Sequence, residues 1–485
     1  MHEHALNSLR TRSIHIDISK MPRNPLPLQR SRRMSSALTH TQQAPSQPIP
    51  VNSPTLSRRS LLRTLAASAS APVSWSLTNA SATPATPRNT LPVTALVTAW
   101  YPVSHGDVIA SKILEGYLRN DGEPRSNLKL VSMYVDQLHK DDISRALAQK
   151  HGVRVCRSID EAITLGTNQV QVAGVMSIAE HGDYPLTTDT QQKMYPRRRF
   201  FDETIATFQR CQQVVPVFND KHLSYRWQDA EHMVRTARRM KFPLLAGSSL
   251  PVTWRFPELE LPRDCQIEDA VTIGYGPLED YGFHALETHQ CMLERRAGGE
   301  AGIRSVQVAL GSEILELQKA GKWSAELFAA ARRTMPGNPA DTDAWDPVTT
   351  EFHETRSQPA AWLLEHRDGL RSAVIMTAGY SGGFAFACRI KGRPDPLTCW
   401  FKLQDKGVFG HFSYLLHAFE HTIRSGYAVY PVERTLLTTG ILDRCMQGIA
   451  HNQRKLVTDE LNFSYTGSDW PFANHPRSEL ILPHD

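Results

Sequence analysis

The stretch Asp280-Tyr-Gly-Phe-His284 contains two residues whose types and spacing suit proton transfer. Residues four positions apart lie on the same face of an α-helix, so a helix that begins here brings Asp280 and His284 together. Histidine exchanges protons near neutral pH, and a carboxylate can orient it or the reacting group. The spacing predicts acid/base chemistry at a carbinol, although a histidine that only packs at a helix start would give the same pattern.

The chain before this stretch alternates short apolar runs with helices of three-to-four-residue apolar period. Six strands are predicted, at residues 93–99, 128–135, 153–155, 170–179, 214–218 and 242–246. This alternation predicts an α/β fold with a doubly wound, Rossmann-like parallel sheet whose ligands bind at the carboxyl ends of the strands. Further strands at 305–310, 373–377 and 383–390 and a helix ending near residue 449 predict an α+β domain with an open, largely antiparallel sheet.

Polar residues follow four of the six predicted strands. A dinucleotide cofactor would place its pyrophosphate at the first helix start, its ribose on an acid after strand two and its nicotinamide near strands four and five. NAD or NADP is therefore the predicted cofactor, and an acid after strand two favours NAD. The residues assigned to it are Ser104, His105 and Gly106 after strand one, Asp136 after strand two, and Glu180 and His181 after strand four.

The loop after strand one departs from the usual phosphate-binding pattern. It lacks the three-glycine fingerprint, keeps Gly106 alone, and has Trp100 and Tyr101 where the backbone would approach the phosphates. A doubly wound domain without a cofactor, in which Asp136 is simply solvated, therefore stays open as an alternative.

Two motifs resemble the Gfo/Idh/MocA family (glucose-fructose oxidoreductase, inositol dehydrogenase and rhizopine catabolism), and the likeness covers roughly residues 91–465. The family's Glu-Lys-Pro after strand five is similar to Asp220-Lys221-His222, with histidine in place of proline. Its second motif, Asp-x-Gly-x-His-x-x-Asp at a helix start, is matched by Asp280, Gly282, His284 and, conservatively, Glu287.

The resemblance implies residue roles and an activity. Lys221 would hold or polarise the reacting hydroxyl, His284 would be the acid/base, and Asp280 would position the substrate or His284. Glu287 and Arg255 are candidate substrate contacts. A salt bridge between the domains is an equally good interpretation of Arg255. The implied activity is nicotinamide-dependent oxidation or reduction of a sugar, cyclitol or polyol, and the second domain's sheet would carry any homo-oligomer interface.

Two other functions remain open at the level of sequence. One is a glycoside hydrolase or lyase that uses a retained cofactor for transient oxidation. The other is a non-catalytic binding or scaffold protein that has lost its cofactor site, which the altered first loop would explain.

The composition of the chain indicates which kinds of partner and metal site are not expected. The 485 residues carry a net charge of +5, which the Arg-rich first sixty residues inflate, so no nucleic-acid surface is predicted. The seven cysteines are scattered, so neither a disulfide framework nor a cysteine metal site is expected. His417 and His421 have the spacing of a helical metal pair, but their aromatic and aliphatic surroundings favour packing.

Residues 1–90 are predicted to be a leader rather than part of the fold, because they are rich in Ser, Thr, Pro, Ala and Arg. Ser57-Arg-Arg-Ser-Leu-Leu-Arg63 resembles a twin-arginine export signal, with Ala80-Ser-Ala82 as a cleavage site. The weakly apolar segment between this motif and the cleavage site is too short and too polar for a stable membrane span. We therefore expect the twin-arginine machinery to export the protein to the periplasm or beyond; an arginine pair in a disordered leader is the alternative.

The start residue could be Met1, Met21 or Met34, because a twin-arginine motif normally lies near the first residue. The predicted organisation is a leader at 1–90, a Rossmann-like domain at 91–252, an α+β domain at 253–470 and a tail at 471–485.

Overall fold

The computed structural model describes residues 90–116, 127–336, 345–352, 355–403, 409–452 and 454–474. The twin-arginine segment and the tail beyond residue 474 lie outside these residues, so the predictions made for them stay predictions. The domain boundaries are likewise predictions.

The first sheet consists of six parallel strands in the order β3-β2-β1-β4-β5-β6. This confirms the predicted doubly wound topology, with the switch point between β1 and β4. Most residues of these strands are buried, as expected where helices cover both faces of a parallel sheet. They are β1 (Leu91–Val97), β2 (Leu128–Val135), β3 (Arg154–Cys156), β4 (Gly174–Ile178), β5 (Val217–Asp220) and β6 (Leu244–Gly247).

The helix after β1 begins as a π-helical turn at Gly106–Ser111 and continues as α1 (Lys112–Glu115). Gly116 ends it with φ at 80°, a conformation that glycine adopts without steric cost. The other helices of this half are α2 (Ser144–His151), α3 (Ile159–Thr164), α4 (Arg197–Cys211) and α5 (Trp227–Met240).

The second sheet has eight strands in the order β14-β9-β10-β11-β8-β12-β13-β7. Within the described residues only the β8–β11 pair is parallel, which confirms the prediction of a largely antiparallel sheet. The strands are β7 (Trp254–Phe256), β8 (Ile267–Gly274), β9 (Ile303–Leu310), β10 (Ala360–His366), β11 (Arg371–Met376), β12 (Phe384–Ile390), β13 (Leu397–Lys402) and β14 (Lys455–Val457).

Helices cover both faces of this second sheet. The helices of this half of the chain are α6 (Asp280–Leu293), α7 (Ser312–Lys319), α8 (Ala325–Thr334), α9 (His411–Ser425) and α10 (Val432–Ala450). On one face α8 packs Leu327 and Ala331 against strand residues such as Ile375. On the other face α6 and α10 join a core that continues into the first sheet. The homo-oligomer predicted to form through this sheet stays a prediction.

The helix α9 returns to the first sheet. Its Phe419 lies beside Phe218 of β5, with ring centroids 5.7 Å apart. Within the described part of the chain, no helix is long and apolar enough to cross a membrane.

Candidate active site

The carboxyl ends of β1, β4 and β5 and the start of α6 surround a cavity of about 330 Å³. The topology produces this meeting, because strand ends on either side of a switch point diverge and leave a crevice. Six residues that the sequence predicted for the site line this cavity. Three follow strands of the first sheet (His105, Glu180 and His181), and three belong to the two motifs (Lys221, Asp280 and His284).

Lys221 follows directly on β5 in a left-handed backbone conformation, with φ at 63°. Its N–H donates to the carbonyl of Gly247 at 3.1 Å, which fixes this turn against the end of β6. Its Nζ lies 2.8 Å from Oε1 of Glu180, and both side chains are buried. Non-glycine residues held at positive φ cluster at functional sites, because the surrounding structure must stabilise the strain.

Glu180 is the shared counter-ion of this region. Besides Lys221 it accepts a hydrogen bond from Arg197, whose side chain is fully buried. Burial acts to raise the pKa of Glu180, but the charges of Lys221 and Arg197 outweigh it and hold that pKa well below its usual value. For Lys221, burial acts to lower the pKa, and the carboxylates of Glu180 and Asp280 raise it above the usual value. The pair is therefore ionised at neutral pH.

The α6 start presents Asp280 and His284 to the same cavity, as their spacing predicted. Nδ1 of His284 is hydrogen-bonded to Oγ of Ser248 at 2.7 Å. Burial, followed by the charge of Lys221, holds the pKa of His284 well below its usual value, so this imidazole is neutral. Burial and the negative charge of Glu180 raise the pKa of Asp280, and its Oδ1 has no hydrogen-bond partner among the described residues.

His105 also lines the cavity. Its Nδ1 lies 2.5 Å from Oδ2 of Asp220, and the side chains are 13% and 1% exposed. The rings of Phe412 and His181 each lie with their centroids 5.3 Å from that of His105 and fix its plane. The sequence marked Asp220 only as the acid of the lysine motif, because a contact between the loops after β1 and β5 leaves no local pattern.

Other parts of the site were missed for the same reason. Arg197 was not singled out, yet it joins Glu180 to His222 through Nη1, which lies 2.9 Å from Nε2 of that histidine. Glu279, just before α6, is 1% exposed, and burial followed by the charge of Asp280 raises its pKa to about 8. In the sequence, Glu279 is marked only by its place next to a second acid, Asp280, at the predicted start of a helix.

Two of the predicted phosphate-binding residues lie inside the protein. Ser104 is fully buried, and its Oγ accepts the N–H groups of Tyr101 and Asp107 at 3.0 and 3.4 Å, so it caps the turn. At Gly106 a Cβ would lie 2.9 Å from Cγ1 of Val97 and 3.0 Å from Cγ of Trp100. The glycine thus lets the turn pack closely on β1, and Trp100 points into the core rather than toward the crevice.

Asp136 lies at the end of β2, away from the cavity lining. Its Oδ1 accepts hydrogen bonds from the hydroxyl of Tyr134 and from Arg199, and its Oδ2 accepts one from the hydroxyl of Tyr184, all at 2.6 Å. The Arg199 side chain is 42% exposed, so it is the partner that a ligand displaces most readily.

Arg255 and Glu287 also lie outside the cavity lining. Arg255 donates to the carbonyls of Leu259 and Pro251 and lies 4.0 Å above the ring of Phe472, and no described residue forms a salt bridge with it. Glu287 accepts from the N–H of Ser248 at 3.3 Å and from Thr438 at 2.8 Å. It therefore lies behind Ser248, one contact removed from His284.

The described residues contain no group of three or more histidine, cysteine, aspartate or glutamate side chains arranged to hold a metal ion. His417 and His421 both lie beside Trp470, with ring centroids 6.0 and 5.1 Å from it.

No family model matches the chain, and no curated protein does. Among solved structures it is similar to GenD2 from gentamicin A biosynthesis in complex with NAD, at 13% identity and a TM-score of 0.48, covering 76% of this chain and 96% of that one. It is also similar to scyllo-inositol dehydrogenase from Lactobacillus casei (11%, 0.46, covering 76% and 98%). A third is myo-inositol dehydrogenase from Corynebacterium glutamicum (12%, 0.46, covering 76% and 99%). These likenesses assign no activity or ligand to this chain.

Proposed function

We propose that this protein is an oxidoreductase that oxidises or reduces a hydroxyl-bearing carbon of a sugar, cyclitol or other polyol with a nicotinamide cofactor. The observation that carries the proposal is the meeting of Lys221, Asp280 and His284 at one cavity. Alcohol oxidation needs a proton acceptor, a cation or hydrogen-bond donor at the oxygen, and a site from which water can be excluded.

The protonation states of the cavity agree with this chemistry. Lys221 is held protonated by Glu180 and Asp280, so it donates a hydrogen bond to the reacting oxygen rather than accepting its proton. His284 is neutral and can contact the same oxygen. Oδ1 of Asp280, which lacks a partner among the described residues, is an acceptor for a neighbouring substrate hydroxyl.

The residues present fit a nicotinamide cofactor at the end nearest the cavity. Buried Nε2 of His181 and Oδ1 of Asp280 both lack hydrogen-bond partners among the described residues, as expected of groups that await a ligand. Asp136 would hold the ribose, with ribose hydroxyls replacing Arg199 there, and His105 is the residue of the 104–106 turn that would face the cofactor, since it lines the cavity. When bound, the nicotinamide supplies the acceptor or donor of hydride.

The leader adds a proposal about location. Residues 57–63 support export by the twin-arginine machinery to the periplasm or beyond. That route carries folded proteins, which suits an enzyme that binds its cofactor before export.

The test begins with the purified full chain, which is denatured and examined by mass spectrometry for released nicotinamide dinucleotide. NAD and NADP are then titrated by tryptophan fluorescence, and sugars and cyclitols are screened by absorbance of the reduced cofactor. We expect binding and turnover in the wild type and a loss of turnover in Lys221→Ala. Absence of binding at millimolar cofactor would overturn the proposal and favour a non-catalytic binding protein.

A further inference from the structure

A second, smaller cavity of about 30 Å³ shares no lining residue with the candidate active site. Four segments enclose it: residues 251–255, which lead into β7, residues 291–295 at the end of α6, residues 430–434 at the start of α10, and residues 468–472 near the C-terminus. A cavity of this size admits a water molecule or a monatomic ion, but no sugar, phosphate or sulfate.

Arg255 is a cation that reaches this cavity with no carboxylate beside it. Its side chain is buried, and its two terminal nitrogens donate to the carbonyls of Leu259 and Pro251 at 3.0 and 3.1 Å. The ring of Phe472 lies 4.0 Å from its guanidinium carbon. Its third nitrogen, Nε, is buried without a hydrogen-bond partner among the described residues. Burying a charge that no opposite charge offsets is costly, and arginine does not lose its proton in proteins.

The two other arginines that line the small cavity each have a carboxylate. Nε of Arg434 lies 3.0 Å from Oε2 of Glu294, and both of these side chains are buried. Nη1 of Arg295 lies 3.1 Å from Oε1 of Glu260. The lining therefore carries three arginines and two glutamates, and the charge left over is that of Arg255.

Asp469, at the surface beside this cavity, does not change the balance. Its Oδ1 lies 3.2 Å from Arg295 and 2.8 Å from Arg263, so it is shared between these two arginines. Adding this acid and Arg263 to the count again leaves one positive charge more than negative charges.

Tyr430 brings a second hydrogen-bond donor to the small cavity. It is 4% exposed, and its buried hydroxyl has no hydrogen-bond partner among the described residues. Burial raises its pKa, so the hydroxyl keeps its proton and can donate it. The thiol of Cys291 supplies no negative charge, because burial raises its pKa to about 11. The unpartnered groups of the lining are thus donors beside an excess positive charge, and both features favour an anion as the acceptor.

We propose that this cavity is a chloride-binding site, in which the Nε–H of Arg255 and the hydroxyl of Tyr430 donate to the ion. A water molecule would satisfy the two donors but would leave the charge of Arg255 uncompensated. The ion would hold together the residues before β7, the end of α6 and the start of α10, so chloride should stabilise the folded chain. This site is independent of the proposed oxidoreductase activity.

The experiment measures thermal unfolding of the full chain by circular dichroism while sodium chloride replaces sodium gluconate. The total salt concentration is kept constant, so that general screening of surface charges does not change. We expect the Tm to rise as chloride replaces gluconate. Above the Kd, the unfolding equilibrium constant should fall about tenfold for each tenfold increase in chloride, as a single site on the folded state requires.

Two variants connect the effect to the cavity. Tyr430→Phe keeps the aromatic ring but removes the hydroxyl, so it should shift the chloride response to concentrations about tenfold or more higher, the size of a lost hydrogen bond to a charged group. Tyr427→Phe is the matched control, because Tyr427 is 61% exposed, and it should respond like the wild type. Arg255→Gln should abolish the response; if it does not fold, Tyr430→Phe decides by itself.

Diffraction from crystals soaked in bromide, recorded at the bromine absorption edge, gives the position of the ion. An anomalous peak beside Arg255 and Tyr430 would support the proposal. A wild type whose Tm is the same in chloride and gluconate would overturn it and leave water as the occupant. A response that Tyr430→Phe keeps unchanged would also overturn it, because chloride would then act elsewhere. Neither measurement uses a cofactor or a substrate, so the failure of an activity assay would not affect them.

Discussion

Lys221 and Glu180 form an ion pair with Nζ 2.8 Å from Oε1, and the two side chains are only 6% and 3% exposed. The pair joins the end of β5 to the end of β4, directly across the strands that border the cavity. Removing one partner of a buried pair leaves the other charge uncompensated, which costs far more than losing a surface pair. These two residues therefore contribute both to the site and to the stability of the fold.

Glu180→Gln should destabilise the protein by roughly 3–5 kcal/mol, because Lys221 and Arg197 would lose their common counter-ion. Chemical denaturation of the full chain, followed by circular dichroism, measures this change. Glu203→Gln is the matched control, since its ion pair with Arg199 is exposed on both sides and such pairs contribute about 0–1 kcal/mol. Equal effects in the two variants would contradict the buried-pair argument.

Glu279 predicts a pH dependence of stability. Burial, followed by the charge of Asp280, raises its pKa from 4.5 to about 8 in the folded chain. Between these values the folded chain holds a proton that the unfolded chain releases, so the free energy of unfolding falls as pH rises from 4.5 to 8. In Glu279→Gln this part of the decline should disappear. Denaturation curves measured across that pH range check it, and an unchanged slope in the variant would argue against a raised pKa.

The sequence predicted those parts of the molecule that depend on local patterns. The parallel strands are continuous apolar runs because both faces of the sheet are covered, and α6 begins at Asp280 as the motif indicated. The strand-end rule then brought Lys221 to the same cavity as His284.

Contacts between distant segments escaped the sequence because nothing local encodes them. Asp220 meets His105 across 115 residues, and Arg255 is buried beneath Phe472 because the C-terminal segment returns to it. Asp136 was assigned to the ribose of a cofactor, and its hydrogen-bond partner Tyr184 comes 48 residues later in the chain. Such partners decide whether a polar residue is available to a ligand.

Asp136 should control the choice between the two nicotinamide cofactors. An acid at the end of β2 accepts ribose hydroxyls and repels a 2′-phosphate. Asp136→Ala should weaken NAD binding about tenfold or more, the size of a lost hydrogen bond to a charged group, and bring the Kd for NADP closer to that for NAD. Fluorescence titration with both cofactors gives the ratio. Arg199→Ala is the companion variant and should leave NAD binding intact or tighten it, because Asp136 no longer has to release that partner. If the ratio of the two Kd values is unchanged in Asp136→Ala, Asp136 does not contact the ribose.

Gly282, between the two acid/base residues of the motif, should tolerate no side chain. A Cβ there would collide with the indole of Trp362 on β10, which is fully buried and cannot move aside. Gly282→Ala should therefore destabilise the protein by about 1–3 kcal/mol, the usual cost of overpacking, despite the better helix propensity of alanine. Because α6 carries Asp280 and His284 on the same turn, the forced shift should also raise KM. Gly382→Ala is the control, since its Cβ would meet no atom within 4 Å. Thermal or chemical denaturation compares the two, and a Gly282→Ala protein as stable as the control would mean that α6 can retreat from the sheet without cost.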